Sequence, residues 1–203
     1  NATPGGGADF IRITADDYGI TTGPTDGNIA FQGFLDGNNQ SLTLQAGNQA
    51  TVAGDSDVSF ANNVYDINVL TVTTAFDVTF SEHLGYDETD AVDAITNVDI
   101  TADNDVAFGD AVGDDVEVTQ QLRVRSADDV RAFGNVVAGN ILQDTGTGIT
   151  TFDGTVMTGN ASGIDVSNER IVVNDDVTAD AGGDVILRID LDDSDQDQAG
   201  VVD

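Results

Sequence analysis

Three aspartates near the end of the sequence have the spacing of ligands for a calcium ion. Asp193, Asp195 and Asp197 alternate along the chain, as carboxylates do in the first half of a twelve-residue calcium-binding loop. Gln198 stands where such a loop needs a glycine, so the match is incomplete. The sequence therefore predicts Ca²⁺ at these three aspartates, with a solvated acidic tail as the alternative, and no other cofactor.

Other residue types that often perform catalysis are scarce. The chain has no cysteine, which excludes a disulfide framework and a thiol nucleophile, and His83 is its only histidine. A transition-metal site would need further nitrogen or sulfur ligands, so we expect a structural role for His83. Arg123 and Arg125 are two positions apart and should face the same way, where they would pair with aspartates such as Asp103 or Asp128.

The elements that position these side chains are short strands with a repeated phrase. Asp-Val-x-Phe occurs at Asp57–Phe60, Asp77–Phe80 and Asp105–Phe108, and looser echoes occur at 27–31, 129–133 and 148–152. The intervals of 19 to 28 residues between its phenylalanines are typical of one turn of a stacked repeat. The sequence predicts an all-β fold, a parallel β-solenoid (β-helix) of about seven to nine coils in one rod-shaped domain. The phenylalanines concerned are Phe60, Phe80, Phe108, Phe133 and Phe152.

The repeated phrase also predicts which side chains face inward. Val and Phe are two positions apart and share one face of the strand, so the phenylalanines should form an internal ladder. The preceding aspartates, Asp57, Asp77, Asp105 and Asp129, should lie at corners and accept hydrogen bonds from turn N–H groups. Stacking would then place like charges about 5 Å apart, and this repulsion requires counterions.

Three stretches resemble the repeats of a known group of bacterial surface proteins. They are LTVTTAFDVTF (70–80), NVDITADNDVAFGDAVG (97–113) and LRVRSADDVRAFGNVVAG (122–139), and the likeness covers roughly residues 27–191. They resemble filamentous-haemagglutinin-like and autotransporter-like repeats, which are secreted right-handed β-helices used in adhesion, surface coating or fibre formation. The resemblance implies a secreted protein, extracellular or at the cell surface.

The composition limits the classes of partner. The chain has 33 Asp, 4 Glu, 6 Arg and no Lys, and its net charge of -31 repels nucleic acid and anionic lipid. Its hydrophobic residues, 39% of the total, occur in alternating runs, which distinguishes it from a disordered acidic tail. No apolar run approaches the 18 or so residues of a membrane span, so we expect no membrane insertion. The same composition is typical of a secreted protein from a high-salt habitat.

The sequence divides into three parts. We predict a lead with an edge strand at 1–26, the solenoid at 27–191, and an acidic C-terminal tail or linker at 192–203. The best helix candidate, Asp87–Ile95, could equally be a loop inserted between coils, which would account for the longest interval between phenylalanines. Because the chain begins at Asn1 without a methionine, we expect a processed mature chain or an excerpt of a longer one.

These features favour a structural or adhesive role without enzymatic activity. We expect a protomer of a surface fibre, or a segment of a giant repeat adhesin, whose terminal strands at 10–14 and 184–191 join copies head to tail. Cell-surface or matrix polysaccharide is a second candidate partner. The alternative is a carbohydrate-active β-helix, either a polysaccharide hydrolase or lyase or a binding module, in which paired carboxylates would lie on one face of the solenoid.

Overall fold

The computed structural model describes residues 10–12, 18–22, 27–47, 56–85, 94–111 and 114–189. These residues form eighteen β-strands and no helix. In chain order the strands are β1 (Phe10–Arg12), β2 (Tyr18–Thr21), β3 (Ile29–Phe31), β4 (Phe34–Gln45), β5 (Val58–Phe60), β6 (Val64–Thr74), β7 (Val78–Phe80), β8 (Ile95–Thr101), β9 (Val106–Phe108), β10 (Val116–Ala127), β11 (Val130–Ala132), β12 (Val136–Gly146), β13 (Ile149–Phe152), β14 (Val156–Thr158), β15 (Ile164–Asn168), β16 (Arg170–Val173), β17 (Val177–Ala179) and β18 (Val185–Ile189).

The chain is a parallel β-solenoid, as the sequence predicts. Strands β3, β5, β7, β9, β11, β13 and β16 form a seven-stranded sheet in chain order, and the other strands form an eleven-stranded sheet. All the strand pairs that we describe are parallel, for example β5 with β7 and β10 with β12. The seven-stranded sheet delimits about six turns, slightly fewer than the predicted seven to nine coils. At about 4.8 Å per turn these turns span about 30 Å.

Each coil has three faces. Face 1 is the seven-stranded sheet, and the larger sheet bends into faces 2 and 3 where its register shifts, as between Val118 and Gln121 of β10. Face 2 contains short segments such as Val136–Ala138, and face 3 contains segments such as Ile141–Gln143. The described part of the chain contains no helix that is long and apolar enough to cross a membrane.

The corners of the coil depend on residues that tolerate a left-handed backbone. Asn38 and Asn39 have φ angles of 50° and 56°, and Asp66 has a φ of 51°. Asn and Asp adopt this conformation more readily than other side chains, because their short polar groups bond to nearby backbone. These residues turn β4 and β6 from face 2 to face 3 without ending the strand. For the predicted helix, residues 87–93 lie outside the described ranges, and Ile95 already begins β8.

Stacked apolar side chains fill the interior. Phe31, Phe60, Phe80 and Phe108, the phenylalanine ladder, have ring centroids 4.6 to 5.5 Å apart and ring planes within 8° of parallel. This confirms the inward direction of Phe in the repeated phrase. On face 3 a column of aliphatic residues runs beside the ladder: Leu42, Leu70, Val98, Leu122, Ile141 and Ile164.

One predicted rung of the phenylalanine ladder is wrong. The register places Ala132, not Phe133, opposite Phe108 and Phe152. The echo at 129–133 has one more residue between Val and Phe than the other phrases, so alternation directs the alanine inward. Phe133 is partly exposed at the next corner, where the Arg131 guanidinium lies 4.0 Å from its ring centre.

Candidate functional site

The predicted calcium ligands lie outside the part of the chain that the structure describes. Asp193, Asp195 and Asp197 belong to residues 190–203, so calcium at these positions stays a prediction. Within the described ranges, no group of three or more His, Asp or Glu side chains is arranged to hold a metal ion.

The corner aspartates form a column along the edge of face 1. Asp57, Asp77, Asp105 and Asp129, the aspartate ladder, lie one per coil, and each carboxylate accepts a hydrogen bond from a backbone N–H of the following coil. Asn28 occupies the first position of the column in the same manner. The prediction that these aspartates satisfy turn N–H groups is therefore confirmed. The donors are the backbone nitrogens of Asp57, Asp77, Asp105, Asp129 and Ile149, at 2.8, 3.3, 3.1, 3.3 and 2.6 Å.

Asp105 has acidic neighbours in both adjacent coils. Asp77 lies in the preceding coil, and Asp129 and Asp128 lie in the following one. Burial raises the pKa of the Asp105 carboxyl above its ordinary value. The charges of its three neighbours raise the pKa further, and the hydrogen bond from the Asp129 N–H opposes the shift. Protonation of Asp105 thus lowers repulsion within the column.

A second column, between faces 1 and 2, contains a histidine, an aspartate and an asparagine. The Nδ1 atom of His83 accepts a hydrogen bond from the Asp115 N–H at 2.9 Å. Oδ1 of Asp115 accepts from the Asn135 N–H at 2.8 Å, and Oδ1 of Asn135 accepts from the Thr155 N–H at 3.1 Å. The only histidine of the chain thus takes part in the same corner hydrogen bonding as the aspartates.

The arginines on face 3 form ion pairs between coils. Arg123 and Arg125 alternate with buried Leu122 and Val124, so they face outward together as predicted. Their partners are not Asp103 and Asp128. Arg123 pairs with Asp144 of the following coil, and Arg125 pairs with Asp99 of the preceding coil at 2.5 Å. A long side chain reaches the diagonal neighbour in the next strand, and sequence alternation alone does not reveal that neighbour.

Asp153 has a different environment from the aspartate ladder. Nε of Arg131 lies 2.8 Å from its Oδ2, and Nδ2 of Asn174 lies 2.8 Å from its Oδ1. Burial on its own would raise the pKa of Asp153, but the hydrogen bonds from Arg131 and Asn174 and the charge of Arg131 hold it below its ordinary value.

The last described coil is open. Strands β16, β17 and β18, which we call the open coil, have no further strand beyond them among the described residues. Val185 and Leu187 are in register with the fully buried Ile164 and Val166, yet they are 43% and 41% exposed. The same holds for Ile189, which is 41% exposed. These inward-facing side chains form an apolar surface across the axis of the solenoid.

Comparison with known proteins gives no further assignment. No protein-family model matches this sequence, and no curated protein or solved structure is significantly similar to it. The resemblance to filamentous-haemagglutinin-like repeats therefore stays a prediction.

Proposed function

We propose that this protein is an extracellular structural or adhesive solenoid, without enzymatic activity, whose copies join head to tail into a surface fibre. The open coil is the observation that carries the proposal. Among the described residues its three strands have no partner on their outer edges, and its inward apolar side chains Val185, Leu187 and Ile189 are exposed. Monomeric repeat proteins normally cover such an end with a polar capping element.

Parallel stacking supports a head-to-tail direction for the proposed assembly. Because every described pair of strands is parallel, a coil that continues the sheets beyond β16, β17 and β18 with the same geometry runs in the same direction. At the other end, β1 and β2 pair with β4 and occupy the outer position of the larger sheet. A contact between the two ends is head to tail, and a head-to-tail contact that does not close into a ring produces a filament.

The contacts of the polar side chains support a structural role. The aspartate ladder and His83 accept hydrogen bonds from the backbone of neighbouring coils. Within the described ranges, four arginines form ion pairs with aspartates of neighbouring coils: Arg123, Arg125, Arg131 and Arg188. These side chains hold coils together instead of converging on one reaction centre.

Filament formation can be tested with one variant and a matched control. We would measure assembly of the full chain by sedimentation velocity and negative-stain electron microscopy at high salt, where repulsion between the acidic copies is screened. Leu187→Asp adds a charge to the open coil and should abolish filaments. Val137→Asp adds the same charge to a lateral face, at a side chain that is 44% exposed, and should leave filaments intact.

Three outcomes would contradict the proposal. The wild-type chain could stay monomeric at every concentration in high salt. The two variants could reduce assembly equally, which would indicate lateral association. Alternatively, the protein could bind or cleave a polysaccharide without assembling, which would favour the carbohydrate-active alternative.

A further inference from the structure

The interior of the solenoid is interrupted at one level. Ala132 occupies the rung between Phe108 and Phe152, where the preceding coils carry a phenylalanine. In the adjacent column of face 3, Gln143 occupies the position between Val124 and Val166. Ala132 and Gln143 are only 1% and 3% exposed. Alanine therefore replaces a phenylalanine, and glutamine replaces a valine, in the same part of the core.

The missing ring leaves a cavity of about 20 Å³. Phe108 and Phe152 lie above and below it, and aliphatic side chains such as Leu122 and Val166 form its walls. Gln143 is the one lining residue with a polar side chain. A cavity needs about 10–15 Å³ to hold one water molecule, so this cavity is large enough.

A chain of buried hydrogen bonds fixes the orientation of the Gln143 amide. Oδ1 of Asn168 accepts from the N–H groups of Gly148 and Glu169 at 2.9 and 2.8 Å, so its Nδ2 must face Thr150. Nδ2 donates to Oγ1 of Thr150 at 3.0 Å. The Thr150 hydroxyl in turn donates to Oε1 of Gln143 at 2.7 Å. The amide nitrogen of Gln143 is thereby directed away from Thr150.

This nitrogen has no partner within the described structure. Nε2 of Gln143 is buried and makes no hydrogen bond to the described residues. A buried donor without an acceptor loses its hydration and gains nothing in return. We propose that the cavity beside Ala132 is a binding site for a single small hydrogen-bond acceptor, a water molecule, held by Nε2 of Gln143.

The chemistry of the cavity makes it selective. The water oxygen accepts from Nε2 of Gln143, whose amide is held in this orientation by Thr150 and Asn168. A dry apolar cavity binds xenon, whereas a cavity that holds a bonded water does not admit it without losing a hydrogen bond. Replacing the Gln143 amide with an apolar group should therefore change the cavity from one that binds water to one that binds xenon.

The test uses the full chain with its alanine methyl groups labelled with ¹³C. In the wild type we expect a nuclear Overhauser contact between water and the Ala132 methyl group, and no saturable shift of that methyl under xenon pressure. Gln143→Val, which supplies the side chain found in neighbouring coils, should lose the water contact and gain xenon binding. A wild-type cavity that binds xenon and shows no water contact would overturn the proposal.

A double-mutant cycle supplies an independent measurement. Ala132→Phe fills the missing rung and expels the water, which leaves Nε2 of Gln143 without a partner. In the Gln143→Val background the same change fills an apolar void. We expect the effect of Ala132→Phe on the unfolding equilibrium constant to be more favourable in that background by about tenfold. Effects that are additive within error would show that no water couples the two positions.

Discussion

Phe80 lies at the centre of the phenylalanine ladder, stacked between Phe60 and Phe108. Phe80→Ala should remove contacts on both sides and lower the free energy of unfolding by about 3–5 kcal/mol. Phe133→Ala is the matched control, because that ring is partly exposed and its main contact is the Arg131 guanidinium; we expect a loss of about 1 kcal/mol. Urea denaturation measures both values. Equal losses would mean that the inward face at 129–133 differs from the one described.

Asp105 provides a prediction about pH. Because its pKa is raised in the folded chain, its contribution to stability is fully present below the unfolded pKa of about 3.9 and is lost as the pH rises through the folded value. Asp105→Asn keeps the acceptor for the Asp129 N–H and removes the charge. The variant should unfold about 1–3 °C above the wild type at pH 7, and the difference should disappear near pH 3.

The control for Asp105 is Asp115→Asn. Asp115 also accepts a hydrogen bond from the next coil, but its neighbours in the column, His83 and Asn135, are not acidic. This variant should shift the midpoint of thermal unfolding less at pH 7. If both variants shift it equally, the effect is one of net charge and the ladder has no special part in it.

The alternation of residues predicts the inward faces well, and the exceptions have physical causes. Val and Phe of the repeated phrase point inward at 57–60, 77–80 and 105–108, as expected. The prediction for Phe133 is wrong because its phrase has one extra residue between Val and Phe. Alternation along the strand therefore directs Ala132 inward in place of Phe133. The partners of Arg123 and Arg125 could not be predicted, because they depend on the register between coils, which a single sequence does not supply.

At the scale of elements, close contact between coils depends on glycine at particular corners. Gly85 has a φ of 84°, and a Cβ atom there would lie 1.8 Å from the backbone oxygen of Glu117 in the next coil. Gly85→Ala should therefore lower the free energy of unfolding by about 3 kcal/mol or more. The control is Gly159, where a Cβ atom would meet nothing within 4 Å. Gly159→Ala should change the free energy of unfolding by less than about 1 kcal/mol. Thermal unfolding followed by circular dichroism compares the two variants. Similar midpoints would show that the coils of Gly85 and Glu117 are not packed closely at this corner.

Some strands lacked a sequence signal. The segment at 136–146 forms one of the longest strands, β12, but its GNILQ run places Gly139, Asn140 and Gln143 among the apolar residues. The first half of β4 contains Asn38 and Asn39, which are typical of turns. Both strands exist because parallel neighbours on each side supply hydrogen bonds and burial, and these tertiary contacts override local propensity.

At the scale of the whole molecule, the repeat period predicts the architecture because each coil contacts only its neighbours. A period near 20 residues and an alternating pattern are enough to specify a parallel stack. The same reasoning could not locate the interrupted level, since Gln143 and Thr150 look like ordinary strand residues until the register places them in columns of Val, Ile and Leu. The exposure of Val185 and Leu187 could not be predicted either, because it depends on whether a further strand packs beyond β18.

Net charge is a property of the entire rod, and it leads to the last prediction. The chain carries a charge of -31, and ladder carboxylates are stacked about 4.8 Å apart. Raising NaCl from about 0.1 to 1 M shortens the screening length from about 10 to 3 Å. Screening should raise the midpoint of thermal unfolding by roughly 3–10 °C.

Calcium added at constant ionic strength should raise this midpoint further if Asp193, Asp195 and Asp197 bind the ion. The double variant Asp193→Asn, Asp195→Asn should lose the increase caused by calcium and keep the increase caused by salt. If a chelator does not change the midpoint of thermal unfolding, the predicted calcium site is wrong. If salt does not change the midpoint, repulsion between coils does not determine stability.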